Sequence, residues 1–421
     1  MGSGRAGCTT RPQYPRTPGF LDPDLVPNSP EDSGVTPRCD RHVHEASAVD
    51  MASQLRLNSS HGTLTESQMR ITIILPFINP SGGVLSTFFL SNALVSLGHK
   101  VNVVYPVWQP SFGQWIFNFK RARTRLLNTS RHLLGAFDYS WIPVRFNLKK
   151  VPYLSARFIP ESDFVIATAW PTAYFTDSLP ESKGTKVYFV RGIETWSGPE
   201  QKVLNTYKLG MNVVTTSRYL ESELTKMGVK VKGRVPNGVD TGLFYPDPAG
   251  LKKRNGRRVL LMYHRIGLKG FEIGLKAVSE AKKQVDLELV LFGTYKPPKI
   301  SVEFEYHRNL FGAELRRLYS SCDVFLWTSV GDGWGQPPME AQACKSALIA
   351  TSSGGIPEYT VPGETALVSD KPDPSKLSEH LIELIRSREE RERLQDAGYR
   401  HIQRFSWVES AKKLEDILSR L

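Results

Sequence analysis

Asp332 and Glu340 stand eight residues apart in the stretch GDGWGQPPMEAQACKSALIATSSGG, residues 331 to 355, on either side of a Gly-Trp-Gly turn and two prolines. Gly333 and Gly335 let the backbone turn tightly after a strand. Pro337 and Pro338 are tolerated in the first turn of the helix that follows. The corner therefore sets a fixed distance between two hydrogen-bond acceptors. The plainer alternative makes Glu340 an acid in the first turn of a helix, favoured there by the dipole. Gly82 and Gly83 follow one strand and open a helix, so bare N–H groups and the helix's positive end can approach an anion such as a pyrophosphate. The alternative is a simple tight turn. Arg265 and Lys269 sit just past another strand, placed to neutralise a diphosphate; a solvated surface arginine is the plain reading of Arg265.

These residues need elements to hold them. From Met69, MRITIILPF reads as a buried strand, INPSGG as a turn, VLSTFFLSNALVSLGHK as a helix and VNVVYPV as the next strand. The alternation continues through DFVIATA, KVYFV and NVVTTSRYLESELTKMG, which predicts a parallel sheet covered on both faces. A second series begins after VPNGVD, with strands RVLLMYH, LELVLFG, DVFLWTS and ALIAT separated by helices. Two doubly wound sheets in tandem leave a cleft between their strand C-terminal ends, where such sheets bind ligands. The chain closes on amphipathic helices, the last starting near RFSWVESAKKLEDIL.

The length, 421 residues, exceeds one ordinary core and agrees with two domains. Cys8, Cys39, Cys322 and Cys344 form no CxxC pair, which fits a reducing compartment. No apolar run is long enough to span a membrane, and no signal peptide is expected. The formal charge of +12 is uneven: residues 1 to 69 carry six basic and eight acidic side chains, so the rest is more basic than the total. Residues 1 to 68, rich in Pro, Ser, Gly and Thr, read as a disordered extension.

The Gly-Gly loop, VPNGVD, HRIGLKG, the Asp332 to Glu340 pair and SSGGIPE occur in an order that resembles the GT-B fold glycosyltransferases, specifically the retaining family 4 group (glycosyl transferases group 1). The resemblance covers residues 69 to 421. It implies two Rossmann-like α/β domains with doubly wound parallel sheets facing across a cleft. The expected boundaries are an acceptor-side domain at 69 to 235, a nucleotide-sugar domain at 236 to 403 and a C-terminal helix at 404 to 421. By the same resemblance, Asp332 contacts hydroxyls of the transferred sugar and Glu340 binds the nucleotide ribose. Lys269 and Arg265 stabilise the leaving diphosphate, while Gly82, Gly83, Gly333, Trp334 and Gly335 complete the donor site. Phe311 is expected against the base, or in the core, and Glu194 on the acceptor side; Gly354, Gly355 and Glu358 are read as lining the phosphate side or making a turn. Four features depart from the family pattern. Asp332 stands where Glu is usual, Arg265 and Lys269 are one residue closer than usual, and Lys345 and Ala347 replace Gly and Pro.

The implied activity is metal-independent transfer of a sugar from a nucleotide diphosphate to a glycan or lipid-linked acceptor, as in surface polysaccharide or glycolipid synthesis. No cofactor and no nucleic acid are expected. The one D-x-D motif, Asp22 to Asp24, lies in the extension, and neither a GxSxG elbow, an HExxH pair nor a Walker lysine is present. Trp115, Ile116, Phe117 and Phe119 precede Lys120, Arg121, Arg123 and Arg125, a pattern suited to anionic lipid, so residues 112 to 150 are an expected peripheral contact on the cytoplasmic membrane face. A solvated basic insertion is the alternative. The rival functions are a sugar phosphorylase or nucleotide-sugar epimerase on this fold, and a non-catalytic basic binder of glycan or nucleic acid.

Overall fold

The structure, a computed structural model, describes residues 68 to 108 and 141 to 421. Nearly all of the expected extension, with Asp22 and Asp24, lies outside the described residues. So does the aromatic and basic stretch at 112 to 135.

The first sheet contains β1 (Arg70–Ile74), β2 (Lys100–Pro106), β3 (Asn147–Val151), β4 (Phe164–Ala167), β5 (Thr185–Val190), β6 (Asn212–Thr215) and β7 (Val231–Arg234). Its order is β3-β2-β1-β4-β5-β6-β7, and every neighbouring pair is parallel. The second contains β8 (Arg258–Met262), β9 (Glu288–Gly293), β10 (Phe304–Arg308), β11 (Val324–Trp327), β12 (Ala347–Thr351) and β13 (Leu367–Ser369). It runs β10-β9-β8-β11-β12-β13, again wholly parallel. Such sheets need helices on both faces, which is why VFLW and ALIAT are apolar without alternation and buried at every position.

Each sheet winds outward one way and then returns past its first strand, so the order reverses between β1 and β4 and again between β8 and β11. Loops leaving the two strands at such a point diverge and open a crevice. Gly82 and Gly83 follow β1, Arg265 and Lys269 follow β8, and Asp332 follows β11. The candidate residues therefore lie at the two switch points.

The last helix, Trp407–Leu418, packs against the first sheet rather than the second. Its Trp407 indole stacks on Phe89 of helix Gly82–Ser96 at 5.7 Å and 16°. His99 Nε2 lies 2.9 Å from Glu415 Oε1 in the same buried contact. The chain thus crosses between domains twice, and the Val239 N–H donates to the Phe405 carbonyl at 2.8 Å where the two crossings run side by side.

Candidate active site

The loop after β8 is fastened to the segment after β11. The Val330 N–H and the Ser329 hydroxyl both donate to the Leu268 carbonyl, at 2.8 and 2.9 Å. This clamp brings Lys269 Nζ to 2.6 Å from Asp332 Oδ2, with both side chains partly exposed. A charge-assisted hydrogen bond of that length fixes the carboxylate's position. Arg265 takes another course: it is exposed, and its guanidinium lies 4.9 Å from the Tyr295 ring centroid. Lys269 is the cation that meets Asp332.

The glycine corner brings backbones together. A Cβ on Gly333 would fall 1.8 Å from the Arg191 carbonyl oxygen, so only glycine lets this turn touch the end of β5 in the other domain. Gly354, at φ +58, approaches the Asp332 carbonyl as closely, with a Cβ position 2.0 Å away. The Tyr359 hydroxyl donates to the Gly335 carbonyl at 2.7 Å. The Trp334 indole is buried, and its Nε1–H points at Met339 Sδ, 2.9 Å away. The Trp334 side chain supports the corner from within the core.

Helix Gln336–Ala343 begins at the corner, with Pro337 and Pro338 in its first turn and Glu340 in its second. The alternative of a first-turn acid therefore does not apply. Glu340 is 8% exposed, and its Oε2 accepts from the Tyr319 hydroxyl at 3.0 Å. Among the described residues Oε1 has no hydrogen-bond donor. Burial pushes the carboxyl up to about 8 against the small opposing effect of Tyr319.

Helix Gly82–Ser96 has no acid in its first turn and no side-chain cap from Ser81. A Cβ on Gly82 or Gly83 would meet nothing within 4 Å, so that face of the loop is open. Glu194 instead turns inward, where its Oε2 accepts from the Trp170 N–H at 2.8 Å and seats helix Trp170–Asp177. Burial raises its carboxyl to about 7. Phe311 stacks on Trp141 of the other domain, centroids 6.1 Å apart and planes at 12°. Glu358 also bridges the domains, accepting from the Arg218 N–H and pairing with Arg234 at 3.4 Å.

Two residues at strand ends were missed by motif reading. His264 follows β8, and its Nδ1 accepts from the Ile266 N–H at 3.1 Å, so in the neutral ring Nε2 carries the proton. Burial, then Lys269, holds its pKa down at about 4. Arg191 follows β5 and donates from Nη1 to the Gly83 carbonyl at 3.0 Å and to the Ser86 hydroxyl. The available signal was position: each falls just beyond the C-terminal end of a strand.

Residues 246–401 match the family model described as glycosyl transferases group 1. An uncharacterized glycosyltransferase of Methanocaldococcus jannaschii is 27% identical over 222 residues, 49% of this chain and 60% of that protein. The MMP alpha-(1->4)-mannosyltransferase of Mycolicibacterium hassiacum is 30% identical over 41% of this chain and 44% of its own length. The matched regions thus span between two fifths and three fifths of these curated relatives. Among solved structures, Anabaena HepE in complex with UDP and glucose superposes with a TM-score of 0.65 at 16% identity, covering 84% of this chain and all of that one. Sucrose-phosphate synthase from Thermosynechococcus elongatus gives 0.61 at 16% identity, over 83% and 98%.

Two wholly parallel α/β sheets, each with a switch point, and the superposition on these structures give the chain the GT-B fold. Residues 246–401, the stretch that matches the glycosyl transferases group 1 model, carry Lys269, Asp332 and Glu340.

Proposed function

We propose that this chain is a retaining, metal-independent glycosyltransferase that moves a sugar from a nucleotide diphosphate to a hydroxyl of a glycan or lipid-linked acceptor. The observation that carries the reading is the Lys269 to Asp332 pair at the second switch point, with Glu340 one turn into the following helix. In this reading the transferred sugar lies by Asp332, the ribose by Glu340 and the diphosphate between Lys269 and the Gly82 to Gly83 loop. Breaking the sugar–phosphate bond leaves negative charge on the diphosphate. A fixed ammonium in a cleft of low water content stabilises that charge as it develops. The acceptor attacks on the face from which the diphosphate departs, and the departing oxygen helps take its proton, so no protein nucleophile is needed. Rate then derives from holding both substrates and from the preset charges. HepE is solved with UDP-glucose, which makes uridine diphosphate sugars the first donors to test.

The same proposal includes acceptor delivery at an anionic membrane face, supported by the sequence of residues 112 to 150. Among the described residues no helix is long and apolar enough to cross a membrane.

The test is a panel of nucleotide-sugars scored by thermal stabilisation. A donor at about 100 times its Kd adds about 2.7 kcal/mol. The stabilising donor is then used for turnover with and without a chelator, and the product anomer is assigned by NMR. Silence across the panel, an inverted anomer or strong inhibition by the chelator would each refute the corresponding part.

A further inference from the structure

Arg191 is a half-buried cation that pairs with no acid among the described residues. Its Nη1 donates to the Gly83 carbonyl and the Ser86 hydroxyl, and its guanidinium carbon lies 4.5 Å from the Phe189 ring centroid. Its Nε is buried with no hydrogen-bond partner, and no carboxylate pairs with it among the described residues. Burial with nothing to offset it pulls the guanidinium down to about 9. An unpaired charge partly withdrawn from water is costly, and a neutral amide would satisfy the Gly83 carbonyl and Ser86 as well. The surroundings are also biased toward anions: the adjoining helix start is uncapped by any side chain, lacks an acid in its first turn and faces open space at both glycines. The backbone of Arg191 meanwhile touches the Gly333 turn, next to Asp332.

We propose that Arg191 is the anion receptor of the first domain: its guanidinium, beside the Gly82 to Gly83 loop, takes phosphate or carboxylate oxygens of a bound substrate. A planar fork suits two such oxygens where an ammonium would meet only one point. The charge comes either from the donor diphosphate or from an acidic group on the transferred sugar or acceptor. The identity of the substrate rests on the glycosyltransferase reading, but the presence of an anion site does not.

The experiment uses the full chain and inorganic pyrophosphate, which requires no knowledge of the base, with UDP and uridine as companions in calorimetry. If the donor diphosphate is the ligand, Arg191→Gln weakens pyrophosphate and UDP binding at least about tenfold and leaves uridine unchanged. Arg191→Lys recovers part of that loss. If the charge lies on the sugar or acceptor, Arg191→Gln leaves pyrophosphate binding intact and raises KM for an acidic substrate but not for its neutral analogue. Should the Gln variant not fold, Arg191→Met, an apolar side chain of similar length, serves in the same comparison. Unchanged pyrophosphate affinity together with equal KM values for acidic and neutral substrates would overturn the proposal and leave Arg191 as a brace for Gly83. Arg191-dependent pyrophosphate binding in a protein that turns over no nucleotide-sugar would uphold the anion site and remove the glycosyltransferase reading.

Discussion

Lys269 Nζ and Asp332 Oδ2 are 2.6 Å apart, so the cation assigned to the leaving group and the acid assigned to the sugar hold one another in place. Groups acting as one unit give non-additive losses. Lys269→Ala is expected to lower kcat by about 10². Asp332→Asn should lower kcat more than donor affinity, and the double variant should lose less than the product of the two. Steady-state kinetics with a measured donor Kd decides this, and fully multiplicative losses would show that the pair is not a unit.

Glu340 gives the protein a pH dependence of definite sign. Its carboxyl is raised from 4.5 to about 8 in the folded chain, so between those values the folded state keeps a proton that the unfolded state has released. Stability from this group therefore falls as pH rises through that window. Glu340→Gln removes the dependence while leaving an oxygen for the Tyr319 hydroxyl. The Tm of the variant minus that of the wild type is expected to grow steadily from pH 5 to pH 8. A flat difference would mean that the carboxyl ionises as it does in water.

Gly83 and Gly333 should respond oppositely to alanine. A Cβ at Gly333 strikes the Arg191 carbonyl, whereas one at Gly83 meets nothing within 4 Å. Gly333→Ala is expected to cost about 1–3 kcal/mol in denaturant unfolding. Gly83→Ala should unfold like the wild type yet bind the donor more weakly, because the new methyl stands where the diphosphate is proposed to approach. Normal donor affinity in Gly83→Ala would move the diphosphate elsewhere.

Lys345 stands where the family usually has Gly, and it adopts φ +61, a left-handed conformation that disfavours a Cβ. Its ammonium reaches Asp396 at 2.7 Å on the surface. Gly and Ala substitutions both remove that ion pair, so their difference isolates the backbone. Lys345→Gly is expected to be more stable than Lys345→Ala by about 1 kcal/mol in denaturant unfolding. Equal stability would show that the turn relaxes around the larger residue.

What could be read from sequence was local. Strand and helix periodicity gave two helix-covered parallel sheets, and residue types near strand ends singled out Gly82, Gly83, Lys269, Asp332 and Glu340 as candidates. Motif reading said nothing of a contact that joins distant segments. Arg191 meets Gly83 across 108 positions, and Phe311 meets Trp141 from the other domain. Both sit on unremarkable stretches. Nor did motif reading show that the Trp334 ring faces inward onto Met339 while its neighbours form the corner. The final helix was recognisably amphipathic, but an apolar stripe does not specify which sheet will cover it.

That helix has a consequence for the order in which the protein is made. The apolar side of helix Gly82–Ser96, including Phe89, is covered by Trp407, Leu414 and Leu418 from the far end of the chain. Domains usually fold as units in the order they leave the ribosome. Here the first domain to emerge lacks part of its covering until residues 407 to 418 have been synthesised, while the second domain can close on its own meanwhile. The nascent protein therefore carries an unfinished hydrophobic face through most of its synthesis, and a stop codon shortly before residue 407 would leave it so permanently.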